Sequence, residues 1–186
     1  METNILCIHI RVGPTSRVFQ MRLDNGVELI AKIPFPTAGP AHFTTASEVA
    51  TLDFLHTEAG MKNLPVVRAW SSRANSNPVG VEYILYESTL DLRPRRPLGL
   101  SPAKAPIFLP GLPFAQIGNI YYAEDVSSSL RSKPMFLPSI SPSPNARRFV
   151  IGPTVDRRFW RGNRAHMSLD RGPCAWTVPF LKYTLT

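Results

Sequence analysis

Cysteine is scarce: Cys7 and Cys174 are the only two in 186 residues. Two thiols cannot build a disulfide framework or a four-ligand zinc site on their own. They read instead as reduced thiols of a cytosolic or organellar protein. No apolar run approaches the ~20 residues of a membrane-spanning helix. The opening Met1-Glu2-Thr3-Asn4 has no basic region, and Arg and Ser are sparse before Gly13, so neither a secretory nor a transit signal is read. The four His residues show no ligand spacing, which argues against a metal or thiol enzyme. Charged residues make up 18% and hydrophobic ones 44%, which rules out wholesale disorder and allows a globular core. Proline is abundant instead, at 19 residues, and excludes a helical bundle or a coiled coil.

Charge and proline divide the chain at 90 and 148. Residues 1–90 hold 7 Lys+Arg against 8 Asp+Glu, residues 91–148 hold 8 against 3, and residues 149–186 hold 6 against 2. The net charge of +8 therefore lies wholly behind a near-neutral first segment. Ten of the 19 prolines fall in 91–148, so that stretch is expected to be mostly irregular or extended.

The first segment carries clear periodicity. Phe19, Met21 and Leu23 share one face of a strand, and Asp24-Asn25-Gly26 follows it. Asn-Gly is a strong hairpin signal and predicts a type I′ turn. The return strand runs from Val27 to Ile33, with Val27, Leu29, Ala31 and Ile33 on one face and Glu28, Ile30 and Lys32 on the other. A helix is expected next. Thr45-Ala46-Ser47-Glu48 fits a capping box, Val49, Leu52, Leu55 and Ala59 form a stripe, and Gly60 ends it. Two strands follow, Pro65–Trp70 and Val79–Glu87, the second rich in β-formers.

This order, with Lys32 on a strand and Glu48 on the next helix, is that of the small lobe of a kinase-like fold. The segments Ile30-Ala31-Lys32-Ile33-Pro34, Ala38-Gly39-Pro40, Thr44 to Ala50, Ala69-Trp70-Ser71-Ser72 and Asn77-Pro78-Val79-Gly80 resemble the fungal aminoglycoside-phosphotransferase-like family, which includes the altered-inheritance-of-mitochondria proteins. Similarity resumes at Leu112–Gly118 and Tyr121-Tyr122. It continues through Ile151-Gly152-Pro153, Arg158-Phe159-Trp160-Arg161-Gly162 and Asp170-Arg171-Gly172-Pro173.

The resemblance implies an α+β architecture. A kinase-like N-terminal lobe spans 1–90, a Pro-rich basic connection spans 91–148, and a fragment of the large lobe spans 149–186. It implies ATP and Mg²⁺ as cofactors and phosphotransfer to a small molecule as the family activity. Lys32 would hold the nucleotide phosphates, Glu48 would fix Lys32, and Gly13 and Ser16 of the loop Gly13–Arg17 would complete the site. Pro14 in that loop removes one N–H that a phosphate could use. Two plainer roles stand beside these: Lys32 also fits an exposed strand lysine, and Glu48 fits the third residue of a capping box with Thr45.

Phosphoryl transfer also needs a catalytic Asp and metal-holding groups. None of His9, His42, His56 and His166 begins a His-x-Asp triplet, and Asp156 and Asp170 are each followed by Arg, as in surface ion pairs. The chain thus reads as a truncated, inactive member whose catalytic loop lies beyond Thr186. Its partners are then a nucleotide, and a protein or a second copy at an exposed lobe interface. The resemblance points to mitochondria. A non-catalytic pseudokinase-like module is the alternative. Basic nucleic-acid binding, suggested by Arg148-Phe149 and Arg158-Phe159-Trp160-Arg161, is a weaker one.

Overall fold

The computed structural model describes residues 4–87 and 114–175. Five antiparallel strands form the main sheet: β1 (Ile5–Val12), β2 (Ser16–Leu23), β3 (Glu28–Pro34), β4 (Val66–Ser71) and β5 (Tyr83–Glu87). Their order is β1-β2-β3-β5-β4. One main helix, α1 (Ala41–Thr57), lies between β3 and β4 in the chain. The rest of the described chain is short ladders and irregular backbone: β6 (Gln116–Ile117), β7 (Asn119–Tyr122), the single-turn α2 (Ser128–Arg131), β8 (Phe149–Gly152) and β9 (Cys174–Ala175). The architecture is α+β, as expected. The stretches 88–113 and 176–186 lie outside the described residues.

The register confirms the faces read from the β2–β3 alternation. Phe19 lies opposite Ala31 and Met21 opposite Leu29, whereas Val18 lies opposite Lys32 and Gln20 opposite Ile30. The turn differs from type I′. Gly26 alone has positive φ (+81°), the Gly26 N–H donates to Leu23 O at 3.0 Å, and Leu23 N–H donates to Val27 O at 2.9 Å. This is a three-residue loop in which Gly26 takes the left-handed position. Asn25 stays at negative φ because its side-chain oxygen accepts from Val27 N–H at 3.0 Å.

The helix begins four residues before Thr45, with Pro40 at its N-cap. The capping-box reading of Thr45 and Glu48 is therefore overturned: both are in the helix body. Pro40 suits this boundary because its φ of −64° is already near helical, and Gly39 at φ +133° turns the chain into it. Past the other end, Gly60 takes φ +65° and Met61 N–H returns to Leu55 O at 3.0 Å. β5 starts later than the Val79–Glu87 alternation predicts. The Asn77 side chain bonds Ser71 Oγ, Arg73 O and Val81 O and accepts from Val79 and Gly80 N–H, which locks that stretch into a turn.

A one-sided stripe predicts one buried face for α1, yet Thr44 through Leu52 are all buried. Two layers explain it. On the sheet side Val49 and Leu52 pack with Ile84 and Tyr86. On the opposite side Ala46 meets Tyr121, Val150 and Val155, and Ala50 and Phe54 meet Ile120, Phe149 and Ile151. β7 and β8 pair antiparallel, with Ile120 opposite Ile151, and form this second wall. The small residues Ala46, Ser47 and Ala50 let it approach, and Asn119 Nδ2 donates to Ser47 Oγ at 3.1 Å across the contact.

Candidate functional site

Lys32 sits in the middle of the sheet, between Val18 on β2 and Ile84 on β5. Period-two alternation puts it on the α1 side with Ile84 and Tyr86. Its ammonium contacts both carboxylate oxygens of Glu48, at 2.6 and 2.5 Å. Glu48 is 4% exposed, so its charge is almost fully removed from water. Tyr86 stabilises it further by donating its hydroxyl to Glu48 Oε1 at 2.5 Å. Burial first, and then the Glu48 carboxylate, push the Tyr86 phenol well above its usual range, so it remains a neutral donor. An ammonium has three donors. Two are directed at Glu48, and no described residue takes the third.

Lys32 and Glu48 form one side of a cavity of about 290 Å³. Thr15 reaches it from the turn between β1 and β2, Thr44 from the first turns of α1, and Val155 and Arg157 from the segment after β8. Gly39 lets these parts meet: a side chain there would come within 3.2 Å of both Thr44 Oγ1 and Val155 O. Thr44 is 7% exposed, and its hydroxyl has no partner among the described residues. Arg158 is held by Asp156, with Nη2 2.6 Å from Oδ2. Asp156 also caps a short helical turn by accepting from Arg158 N–H at 2.9 Å.

The structure joins Lys32 and Glu48, the pair that the resemblance implies. Gly13 and Ser16 are placed otherwise. Gly13 N–H donates to Ser16 O at 2.9 Å and closes the β1–β2 turn, and Ser16 is buried at the start of β2. The cavity is lined by Thr15 between them. Tyr86, Thr44 and Arg157 were not singled out as site residues by sequence reasoning. For Tyr86 a signal was present, since Ile84 and Tyr86 alternate onto the face that Lys32 occupies. For Thr44 and Arg157 none was, because their meeting depends on packing between distant segments.

The polar groups suit the phosphate end of a nucleotide, with one ammonium donor and one buried hydroxyl that lack a partner among the described residues. Magnesium does not find a comparable set: among the described residues no three His, Cys, Asp or Glu side chains converge. Asp170, the other tail carboxylate, accepts from Gly172 N–H at 2.9 Å within its own turn.

A second region ties the two layers together. Asp53 accepts from Tyr122 Oη at 2.6 Å and pairs with Arg148 at 2.7 Å. His42 lies 3.0 Å from Ser72 O through Nδ1 and 3.3 Å from Asp125 O through Nε2. Asp125 is buried and its Oδ2 has no partner among the described residues. Burial raises its carboxyl above the ordinary 3.8, opposed by His42 and Arg73 and reinforced by Glu124.

A five-stranded antiparallel sheet backed by one helix, with a lysine–glutamate pair between them, defines the class at this level. The chain is homologous over most of its length to fungal proteins of two kinds. It is 37% identical to a subtelomeric hrmA-associated cluster protein of Aspergillus fumigatus, over 91% of this chain and 34% of that relative. It is 32% identical to altered inheritance of mitochondria protein 9, mitochondrial, of Candida tropicalis, over 81% of this chain and 27% of that relative. The Yarrowia lipolytica protein of the same name is 25% identical over 92% of this chain and 33% of its own length. The chain thus spans about a third of the length of the curated relatives it matches. No protein-family model matches it. No solved structure matches it either.

Proposed function

We propose that the chain carries the phosphate-binding side of an aminoglycoside-phosphotransferase-like, kinase-like lobe, and that it binds ATP without transferring its phosphate unaided. The observation that carries this reading is the Lys32–Glu48 pair, buttressed by Tyr86, at the edge of a cavity between the third strand and the main helix. A buried ion pair is a poor stabiliser, since desolvating both charges offsets most of their attraction. Its presence beside a cavity is better explained by use: Glu48 orients Lys32, and Lys32 meets phosphate oxygens. Transfer needs a carboxylate base and metal ligands as well. No His-x-Asp triplet occurs in the 186 residues, and the described residues offer no metal cluster. On this reading, phosphotransfer to a small molecule would need groups beyond those these 186 residues offer.

Thermal denaturation with and without ATP, each with and without Mg²⁺, tests the reading. Ligand at 100 times its Kd stabilises by ~2.7 kcal/mol. For a protein of this size that is roughly 5–10 °C in Tm. The shift is expected in the natural chain and absent in Lys32→Met, whose fold is checked by near-UV circular dichroism. No shift in the natural chain, or an equal one in folded Lys32→Met, overturns the proposal.

One observation favours a second reading, a non-catalytic interaction module. Leu6, Ile8, Ile10 and Val12 form an exposed apolar row on β1, which lies at the sheet edge. Such edges template pairing with another strand. Light scattering that finds only monomer at high concentration removes self-association from this reading.

A further inference from the structure

We infer that the cavity beside Lys32 includes a subsite for a linear phosphate chain, made by Arg157 and the Thr44 hydroxyl. The inference deepens the nucleotide reading and rests on it only for placing the phosphates in this cavity. Four observations converge. First, the volume of about 290 Å³ is just below the ~300–1,000 Å³ of ligand pockets, which suits a phosphate chain better than a whole nucleotide. Second, the other two described cations that line the cavity are already compensated: Lys32 by both oxygens of Glu48, and Arg158 by Asp156. Third, Arg157 lines the same cavity half-buried, and no hydrogen bond or ion pair joins its side chain to another described residue. A guanidinium at a cavity wall with no described partner is a fork of donors matched to phosphate oxygens. Fourth, Thr44 lines the cavity, and its buried hydroxyl lacks a partner among the described residues, although buried hydroxyls almost always have one. An anionic oxygen accepting from it would settle that account.

The geometry also explains a position that the strand and helix patterns leave unread. Gly39 has no side chain, and one there would crowd both Thr44 Oγ1 and the Val155 carbonyl. The segment that carries Arg157 can therefore close against the first turns of α1. Recognition is of charge and spacing, so a chain of three phosphates without a nucleoside should bind.

Calorimetric titration of the full chain at low salt with sodium tripolyphosphate, and separately with ATP, tests this. The variants are Arg157→Gln and Thr44→Val. Arg147→Gln, at an exposed position outside the cavity lining, controls for the loss of one positive charge. Tripolyphosphate is expected to bind the natural chain, about tenfold more weakly in Arg157→Gln as one charge-assisted contact is lost, and severalfold more weakly in Thr44→Val. Arg147→Gln should stay within twofold. Melting curves establish that each variant is folded; if Thr44→Val is not, Arg157→Gln decides alone. No tripolyphosphate binding to the natural chain, or equal binding to Arg157→Gln, overturns the subsite. Tripolyphosphate binding that depends on Arg157, with no ATP binding, keeps the subsite and removes the nucleotide reading. ATP binding that is lost in Lys32→Met but unchanged in Arg157→Gln does the reverse.

Discussion

Glu48 is the residue on which most of the local chemistry converges. It is 4% exposed, faces the Lys32 ammonium with both oxygens and accepts from Tyr86. Removing its charge leaves a part-buried ammonium without its ion-pair partner. Glu48→Gln is expected to lower unfolding stability by about 3 kcal/mol, because breaking one side of a buried pair costs more than removing both. The double variant Lys32→Met/Glu48→Gln should recover much of that loss in urea denaturation. Additive losses would mean that the pair is not coupled. Asp125 makes the opposite prediction. Its folded-state carboxyl is raised above 3.8 by burial, so it favours the fold in acid, below the unfolded pKa, and that contribution disappears as pH climbs through the folded value. Asp125→Asn should therefore raise the urea midpoint at pH 7 and leave it nearly unchanged at pH 3. Equal midpoints at pH 7 would contradict the burial of an unpaired carboxylate. At this scale the Lys32–Glu48 pair was legible only through the kinase-like resemblance, since each residue taken alone also fitted a plainer role. Tyr86 was a readable alternation whose role required its partner to be seen.

Elements were legible where a local pattern decides them. The β2–β3 hairpin followed from alternation on both sides of Asn25-Gly26, and the end of α1 from Gly60. The helix start was not, because Thr45-x-x-Glu48 mimics a capping box while Pro40 sets the real boundary. β1 escaped notice although Leu6, Ile8, Ile10 and Val12 alternate, since an edge strand lacks the core partners that make such a pattern conspicuous. The β7–β8 pair depends on close backbone approach. A Cβ on Gly118 would lie 2.3 Å from Gly152 O, and one on Gly152 would lie 2.6 Å from Tyr121 Cδ2. Gly118→Ala must push the two strands apart and is expected to cost about 1–3 kcal/mol, as overpacking does. A chemical-denaturation midpoint equal to that of the natural chain would contradict this packing.

For the whole molecule, the missing information was non-local. Composition marks 91–148 as Pro-rich and basic, but it does not announce that Ile120, Tyr121, Phe149 and Ile151 cover the far side of α1. That packing buries the helix on both sides and brings Arg157 to the cavity that holds Lys32. The account therefore rests on one place where three distant parts of the chain meet: the β1–β2 turn, the β3–α1 pair and the segment after β8. Backbone amide chemical shifts recorded during an ATP titration test it most directly. The account predicts saturable shifts clustered at Thr15, Lys32, Thr44, Glu48 and Arg157, and none of comparable size along the exposed row of β1. No saturable shifts at millimolar ATP, or shifts concentrated on β1, would contradict it.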